Sequence, residues 1–265
     1  MLTDDQRDEF QDRGLLRLPA AVHADDAERM RDRLWQHLQQ HHGARPGRPD
    51  TWPAGAVAHF QSLARNGAFD ALASPLVRVA IDALLGPGTW QEPEQWGRPL
   101  VTFPGDARWR LPSRGWHRDS SDRPGDPALV VFGCLAPVEP RGGGTLAVTG
   151  SHRLAAPEGP YGGLRSAQVC ARLAVDHPWF RDLLTPGAEP ERTERLLGSR
   201  YVVDRSPLLI AELTGRTGDV VVMHPRLLHA VAPNALCMPR LMLLQFVHLR
   251  ADRRSLLRGS AMLSP

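Results

Sequence analysis

Along the first third of the chain, apolar residues recur at helical spacing. Thr3 followed by Gln6 forms a capping box, and the short helix it opens should end near Gly14. "LLRLPAAV" then reads as a strand or extended segment. From about Asp25 the run "DDAERMRDRLWQHLQQHH" opens on acids, and Met30, Leu34 and Leu38 share one helical face. A polar, Pro/Gly-rich loop, "GARPGRPDTWPAG", precedes two more helical stretches, "AVAHFQSLARNGAFDALAS" and "PLVRVAIDALLG".

From Gly88 the texture changes to short strand-like runs between Gly/Pro turns: "RPLVTF", "ALVVFGCLAPV", "GGTLAVTG", "PLLIAEL", "DVVVMH", "LHAVAP" and "RLMLLQFVHL". Their number and brevity predict a barrel or double-sheet jelly roll. Residues 155–206 form a long, loop-rich insertion with short helices around "AQVCARLAV" and "PWFRDLLT", of the kind that serves as a lid or binding loop. Neither an internal repeat nor a clean linker divides the sequence. One domain over 1–265 is expected, mainly helical over 1–87, with a β core over 88–250.

Composition narrows the chemistry. With 265 residues, 42% of them apolar, the chain can bury a substantial core. All 32 of its Lys+Arg residues are arginine, which excludes lysine Schiff bases and a Walker-type phosphate-binding lysine. A net charge of only +3, with arginines alternating with acids, gives no basic block for nucleic acid. The acidic start "MLTDDQRDEF" is unlike a secretory signal, and no apolar run approaches the roughly 18 residues of a membrane span. A cytoplasmic protein with no membrane partner is expected. Cys134, Cys170 and Cys237 have no CxxC spacing and read as buried free thiols.

"RGWHRDSSDRPGD", residues 114–126, contains His117-x-Asp119. Roughly one such pair is expected by chance in a chain of this length, and His23-x-Asp25 is another. His23-x-Asp25, however, sits at a helix start, where the acid serves as a cap or dipole partner. His117 and Asp119 fall on an extended segment, where residues two apart share a face and can converge on one ion. A third ligand is offered by "GDVVVMHPRLLHAVAPN", residues 218–234. Within it His229 opens the strand "HAVAP", and a hairpin return through "NALCMP" would bring Arg240 to a neighbouring strand facing the same cavity. Two histidines and a carboxylate suit Fe(II) and oxygen chemistry, or zinc; the arginine suits bidentate carboxylate recognition.

In this order, His-x-Asp, "GGTLAVTGSHR", "GDVVVMHPRLLHAVAPN" and a later arginine, the sequence resembles the phytanoyl-CoA dioxygenase (PhyH-like) family, a branch of the Fe(II)/2-oxoglutarate-dependent oxygenases. The opening "LTDDQRDEFQDRGLLRLPAAVHADDAERMRDRL" is similar to that family's as well. The resemblance implies a mainly β fold with flanking helices: a double-stranded β-helix (jelly roll, cupin-like) with N-terminal helices packed on one sheet. It also implies a metal triad of His117, Asp119 and His229, with Arg240 on the distal carboxylate of 2-oxoglutarate and Thr145 and Phe132 lining the cosubstrate pocket. The implied reaction consumes 2-oxoglutarate and O2, gives succinate and CO2, and oxidises a C–H bond of a small molecule. Asp119 argues for hydroxylation, because halogenating relatives carry a small residue there. Desaturation, epoxidation or cyclisation would use the same core. A nucleic-acid demethylase would need a basic groove, and a non-catalytic binding protein should have lost a ligand.

Trp116 and Ser120 are candidate substrate contacts, with core packing and a polar loop as their plainer readings. His224, His152 and His248 read as structural, and Asn234 as a hairpin stabiliser. The Arg/Ala/Gly/Pro-rich, lysine-free composition is that of a high-GC bacterial product, and in such genomes this family is frequent in specialised metabolism.

Overall fold

In the computed structural model, which describes residues 2–250 apart from 56, 106–107, 155–158 and 160, helix α1 (Asp4–Arg13) begins at the expected capping box. Gln6 N–H donates to Thr3 Oγ1 (3.2 Å) and Thr3 N–H to Gln6 Oε1 (3.0 Å), satisfying two end groups reciprocally. Gly14 closes the helix at φ 71°, where a Cβ would stand 2.7 Å from His152 Nδ1. Strand β1 (Leu15–Leu18) follows, then α2 (Ala24–His42), with Asp25 and Asp26 in its first turn and Met30, Leu34 and Leu38 buried.

The next segment departs from its helical reading. Only α3 (Gln61–Arg65) and a single 3₁₀ turn (Asp70–Leu72) form there, because Asn66 and Gly67 end the helix and Gly67 turns at φ 67°. Phe60, Phe69 and Leu72 are buried by docking on neighbours, so their spacing does not report a helix. Helix α4 (Pro75–Leu85) is regular, capped by Ser74 with Pro75 in its first turn.

The β region contributes β2 (Trp90–Gln91), β3 (Arg98–Thr102), β4 (Leu129–Cys134) and β5 (Thr145–Thr149). Helix α5 (Ser151–Leu154) leads to the insertion, which holds α6 (Ser166–Asp176) and α7 (Pro178–Leu184) as expected. It also holds α8 (Glu191–Gly198), absent from the sequence reading because its many charges mask a narrow apolar face. Strands β6 (Tyr201–Val203), β7 (Ser206–Glu212), β8 (Val220–Met223), β9 (His229–Val231) and β10 (Arg240–Leu249) complete the described chain. Residues 251–265, included in the single-domain expectation, lie outside the described residues.

Two antiparallel sheets result, as in a jelly roll. The larger runs β1-β8-β4-β10-β2, with β3 also on β10; the smaller runs β6-β7-β5-β9. Alternation sorts the side chains into three layers. Val130, Phe132, Met242 and Leu244 of the large sheet meet Ala147 and Leu213 between the sheets. Leu129, Val131, Leu241 and Leu243 point the other way, under the N-terminal helices, and Leu146, Val148, Leu208 and Ile210 pack beneath the insertion helices. β4 is thus buried on both faces, which explains its unbroken apolar run.

Two expectations are corrected. Only Cys134 is a buried thiol, pushed up to about 12 by burial; Cys170 is half-buried, and Cys237 is exposed on the connection before β10. β9 and β10 do not form a hairpin, since they belong to different sheets. Pro233 and Pro239 break the ladder there, and Asn234 holds the crossover by donating to Thr102 O (3.1 Å) and Met238 O (2.8 Å). No helix among the described residues is long and apolar enough to cross a membrane.

Candidate active site

His117 lies on an extended segment that continues the small sheet beyond β9. Its N–H donates to His229 O (2.9 Å) and His229 N–H donates back to His117 O (2.8 Å), so the two residues stand side by side. Each imidazole is then oriented by its own backbone. His117 Nδ1 is 2.8 Å from Gly115 O and His229 Nδ1 is 2.9 Å from Leu227 O. A carbonyl only accepts, so Nδ1 carries a proton in both rings and Nε2 is the atom each ring turns toward Asp119.

Asp119 Oδ1 is 3.8 Å from His117 Nε2, and its Oδ2 is 3.4 Å from His229 Nε2. The main chain of Asp119 is fixed by donation to Pro225 O (2.8 Å), shared with Ser120 N–H. One ligand atom from each of the three residues falls within 4.8 Å of the others, and Asp119 Oδ2 is buried without a hydrogen bond. Burial lowers the His229 pKa, His117 adds to this and Asp119 opposes it. Two imidazoles around a carboxylate are a donor set that suits a divalent metal.

Arg240 opens β10 on the inner face of the large sheet and is 3% exposed. Nη2 donates to Thr102 Oγ1 (2.7 Å), while Nε and Nη1 are buried with no acceptor. Burial lowers its pKa to about 10, against the opposing pull of Cys134 and Glu212, so the guanidinium stays charged near neutrality. Glu212 does not pair with it closely, because its carboxylate accepts from the Arg141 (2.8 Å) and Gly144 (3.2 Å) amides. A buried cation with two idle donors is costly unless an anion arrives from outside the chain.

The model of the phytanoyl-CoA dioxygenase (PhyH) family matches residues 10–235. The chain belongs to that family. Members of the PhyH family are oxidoreductases that use iron and 2-oxoglutarate, and the residues present fit both: the triad offers two imidazoles and a carboxylate, and Arg240 has two buried donors without a partner. No curated protein sequence matches the chain. Among solved structures, EvdMO1 is 18% identical with a TM-score of 0.59 over 93% of this chain and 50% of that one, so the chain spans half that neighbour's length. SnoK, a non-heme alpha-ketoglutarate-dependent carbocyclase from nogalamycin biosynthesis, is 19% identical over 100% of this chain and 92% of that one (TM-score 0.54). HygX from Streptomyces hygroscopicus, solved with nickel and 2-oxoglutarate, is 16% identical over 94% and 87% (TM-score 0.55). These likenesses are of fold.

The remaining sequence-predicted PhyH positions divide by face. Thr145 and Phe132 are buried with side chains between the sheets, on the Arg240 side. Trp116 and Ser120 alternate with the triad and turn away from it. Trp116 packs behind the small sheet and donates to Pro112 O (2.8 Å), while Ser120 Oγ accepts from Asp122 N–H (3.1 Å), organising the following turn. His224 and His152 pack against each other, with ring centres 4.9 Å apart and tilted by 33°, and His224 also meets Phe10. Thr102 escaped the sequence reading; its only signal was its place at the end of "RPLVTF", and its value depends on a register that only the β3–β10 pairing supplies.

Proposed function

We propose that the chain works as one oxygenase domain, dependent on Fe(II) and 2-oxoglutarate, that hydroxylates an unactivated C–H bond of a small molecule in bacterial specialised metabolism. His117, Asp119 and His229 would hold the metal, and Arg240 with Thr102 would hold the distal carboxylate of the cosubstrate. What carries this reading is the pair of idle donors on buried Arg240, on the inner face that the triad also addresses.

Each residue has a separable task. The Nδ1–H anchors of His117 and His229 fix both rings, so Nε2 alone is offered inward. Pro225 O holds the Asp119 main chain and thereby sets where its carboxylate lies. Thr102 accepts from Arg240 Nη2, which fixes the plane of the guanidinium and leaves its Nε and Nη1 donors free for an incoming carboxylate. Leu244, Phe132 and Met242 keep water from the space between the sheets. Bound together, Fe(II), 2-oxoglutarate and O2 supply the oxidising power for C–H attack, with succinate and CO2 released.

Similarity to a carbocyclase favours ring closure as the second reading. Succinate formation by the purified protein tests both: it should require Fe(II) and O2 and fall to background in Arg240→Met. Turnover indifferent to Arg240 would contradict the assignment.

A further inference from the structure

Strand register places three residues of a cavity, Arg98, Leu244 and Phe246, on the same face of the large sheet as Arg240. Thr102, Leu100 and Arg98 pair with Arg240, Met242 and Leu244, so all six lie on one side of the sheet, and Phe246 continues it. The row is closed at Arg240 and Met242 (3% and 0% exposed) and opens toward Leu244 (7%) and half-buried Phe246. Asp119 belongs to the open end, because it is fixed to Pro225, just beyond Met223, whose partner Val130 pairs in turn with Phe246. At ~3.3 Å per residue, Leu244 and Phe246 lie roughly 13 and 20 Å from Arg240.

At this end a cavity of about 870 Å³ opens, lined by Arg98, Leu244 and Phe246, and on its other wall by Phe60 and Gln61. Its volume suits a ligand considerably larger than 2-oxoglutarate. The Arg98 guanidinium stands 5.6 Å over the Phe246 ring, and no hydrogen bond or ion pair engages it among the described residues. Glu92, the carboxylate of the cavity wall, is already taken by Arg78 and by the Trp96 indole N–H. The cavity therefore presents a free planar cation beside aromatic and aliphatic surface.

We propose that this cavity is the substrate site and that its ligand is a ring-containing organic anion, its acidic group paired with Arg98 and its body packed on Phe246, Leu244 and Phe60. The proposal rests on the oxygenase reading and names the substrate class for that same centre.

Three probes with one skeleton and different charge, 2-naphthoate, 2-naphthamide and 2-naphthylamine, test it. Binding is read by calorimetry on metal-free protein, and by the change each causes in the visible band of the anaerobic Fe(II)–2-oxoglutarate protein. The naphthoate should bind at least tenfold tighter than the amide or amine and perturb the band. Arg98→Gln should remove that preference while its own unperturbed band forms as in the wild type. Equal binding of all three probes, no binding of any, or a preference that survives Arg98→Gln overturns the proposal. If no band forms in the wild type, the oxygenase reading fails instead, and calorimetry still decides the anion site.

Discussion

His117 and His229 hydrogen-bond each other's main chains in both directions, at 2.9 and 2.8 Å, although they lie far apart in the sequence. Together with the Nδ1 anchors, these contacts are entirely within the protein, so the three ligands are assembled by folding itself. Chelator treatment should therefore leave the far-ultraviolet circular dichroism unchanged. Added metal should raise the melting temperature, by an amount worth about 2.7 kcal/mol at a hundred times its dissociation constant. Collapse of the fold on chelation would show that the metal builds the site.

Arg240 is an unusual position to truncate, because its charge is buried and only partly bonded. Arg240→Met should weaken 2-oxoglutarate binding by about 2–5 kcal/mol, the range for removing one partner of a buried charged pair. The same change should leave the cosubstrate-free protein as stable or more so, since an uncompensated buried cation disappears. Thr102→Val should cost only about 0.5–1.5 kcal/mol of affinity. Titration and chemical denaturation of each variant separate the two effects; a destabilised Arg240→Met with normal affinity would contradict the assigned role.

Arg192 makes the opposite case. It is 2% exposed and donates to Asp182 O (2.7 Å), Leu183 O (2.7 Å), Leu111 O (2.9 Å) and Glu189 Oε1 (2.9 Å). It ties the insertion to the segment that leads into His117, and Thr193 Oγ1 adds a bond from Leu111 N–H (3.0 Å). Arg192→Met should destabilise the fold by about 3–5 kcal/mol, read as a lower denaturation midpoint. An unchanged midpoint would mean that the insertion is not needed to hold the segment.

Stability should also fall in acid through His152 and His224. Burial pushes their pKa values down to about 4 and about 2, while the unfolded chain titrates near 6.5. Between these values the unfolded state binds the extra proton, so stability declines as pH drops below about 6.5 and is retained above it. The slope approaches about 1.4 kcal/mol per pH unit per histidine. His152→Gln can still donate to Gln11 O, as the ring does at 2.9 Å, and should flatten the decline between pH 6 and 4.5. An equally steep profile in that variant would assign the acid sensitivity elsewhere.

Local signals were legible in the sequence where one residue sufficed to set the structure. The Thr3–Gln6 box, Gly14, and the Met30, Leu34, Leu38 stripe all read correctly because capping, φ freedom and helical period act within a few residues. His117-x-Asp119 was legible through alternation, and the same alternation turns Trp116 and Ser120 away from the face that His117 and Asp119 share. Relations between sheets were not legible. His229 and Arg240 face one space from opposite sheets, which a hairpin reading could not anticipate, and Thr102 and Arg98 acquire meaning only through their register with β10. The 57–74 region misread as helix because burial against other elements mimics helical spacing.

The central claim is that His117, Asp119 and His229 hold a metal to which 2-oxoglutarate binds under the guidance of Arg240. Anaerobic titration of the Fe(II)-loaded protein with 2-oxoglutarate tests it most directly. A saturable visible charge-transfer band should appear in the wild type, vanish in His117→Ala and His229→Ala, and in Arg240→Met require far higher 2-oxoglutarate to appear. A band that survives both histidine changes, or none in the folded wild-type protein, would contradict the account.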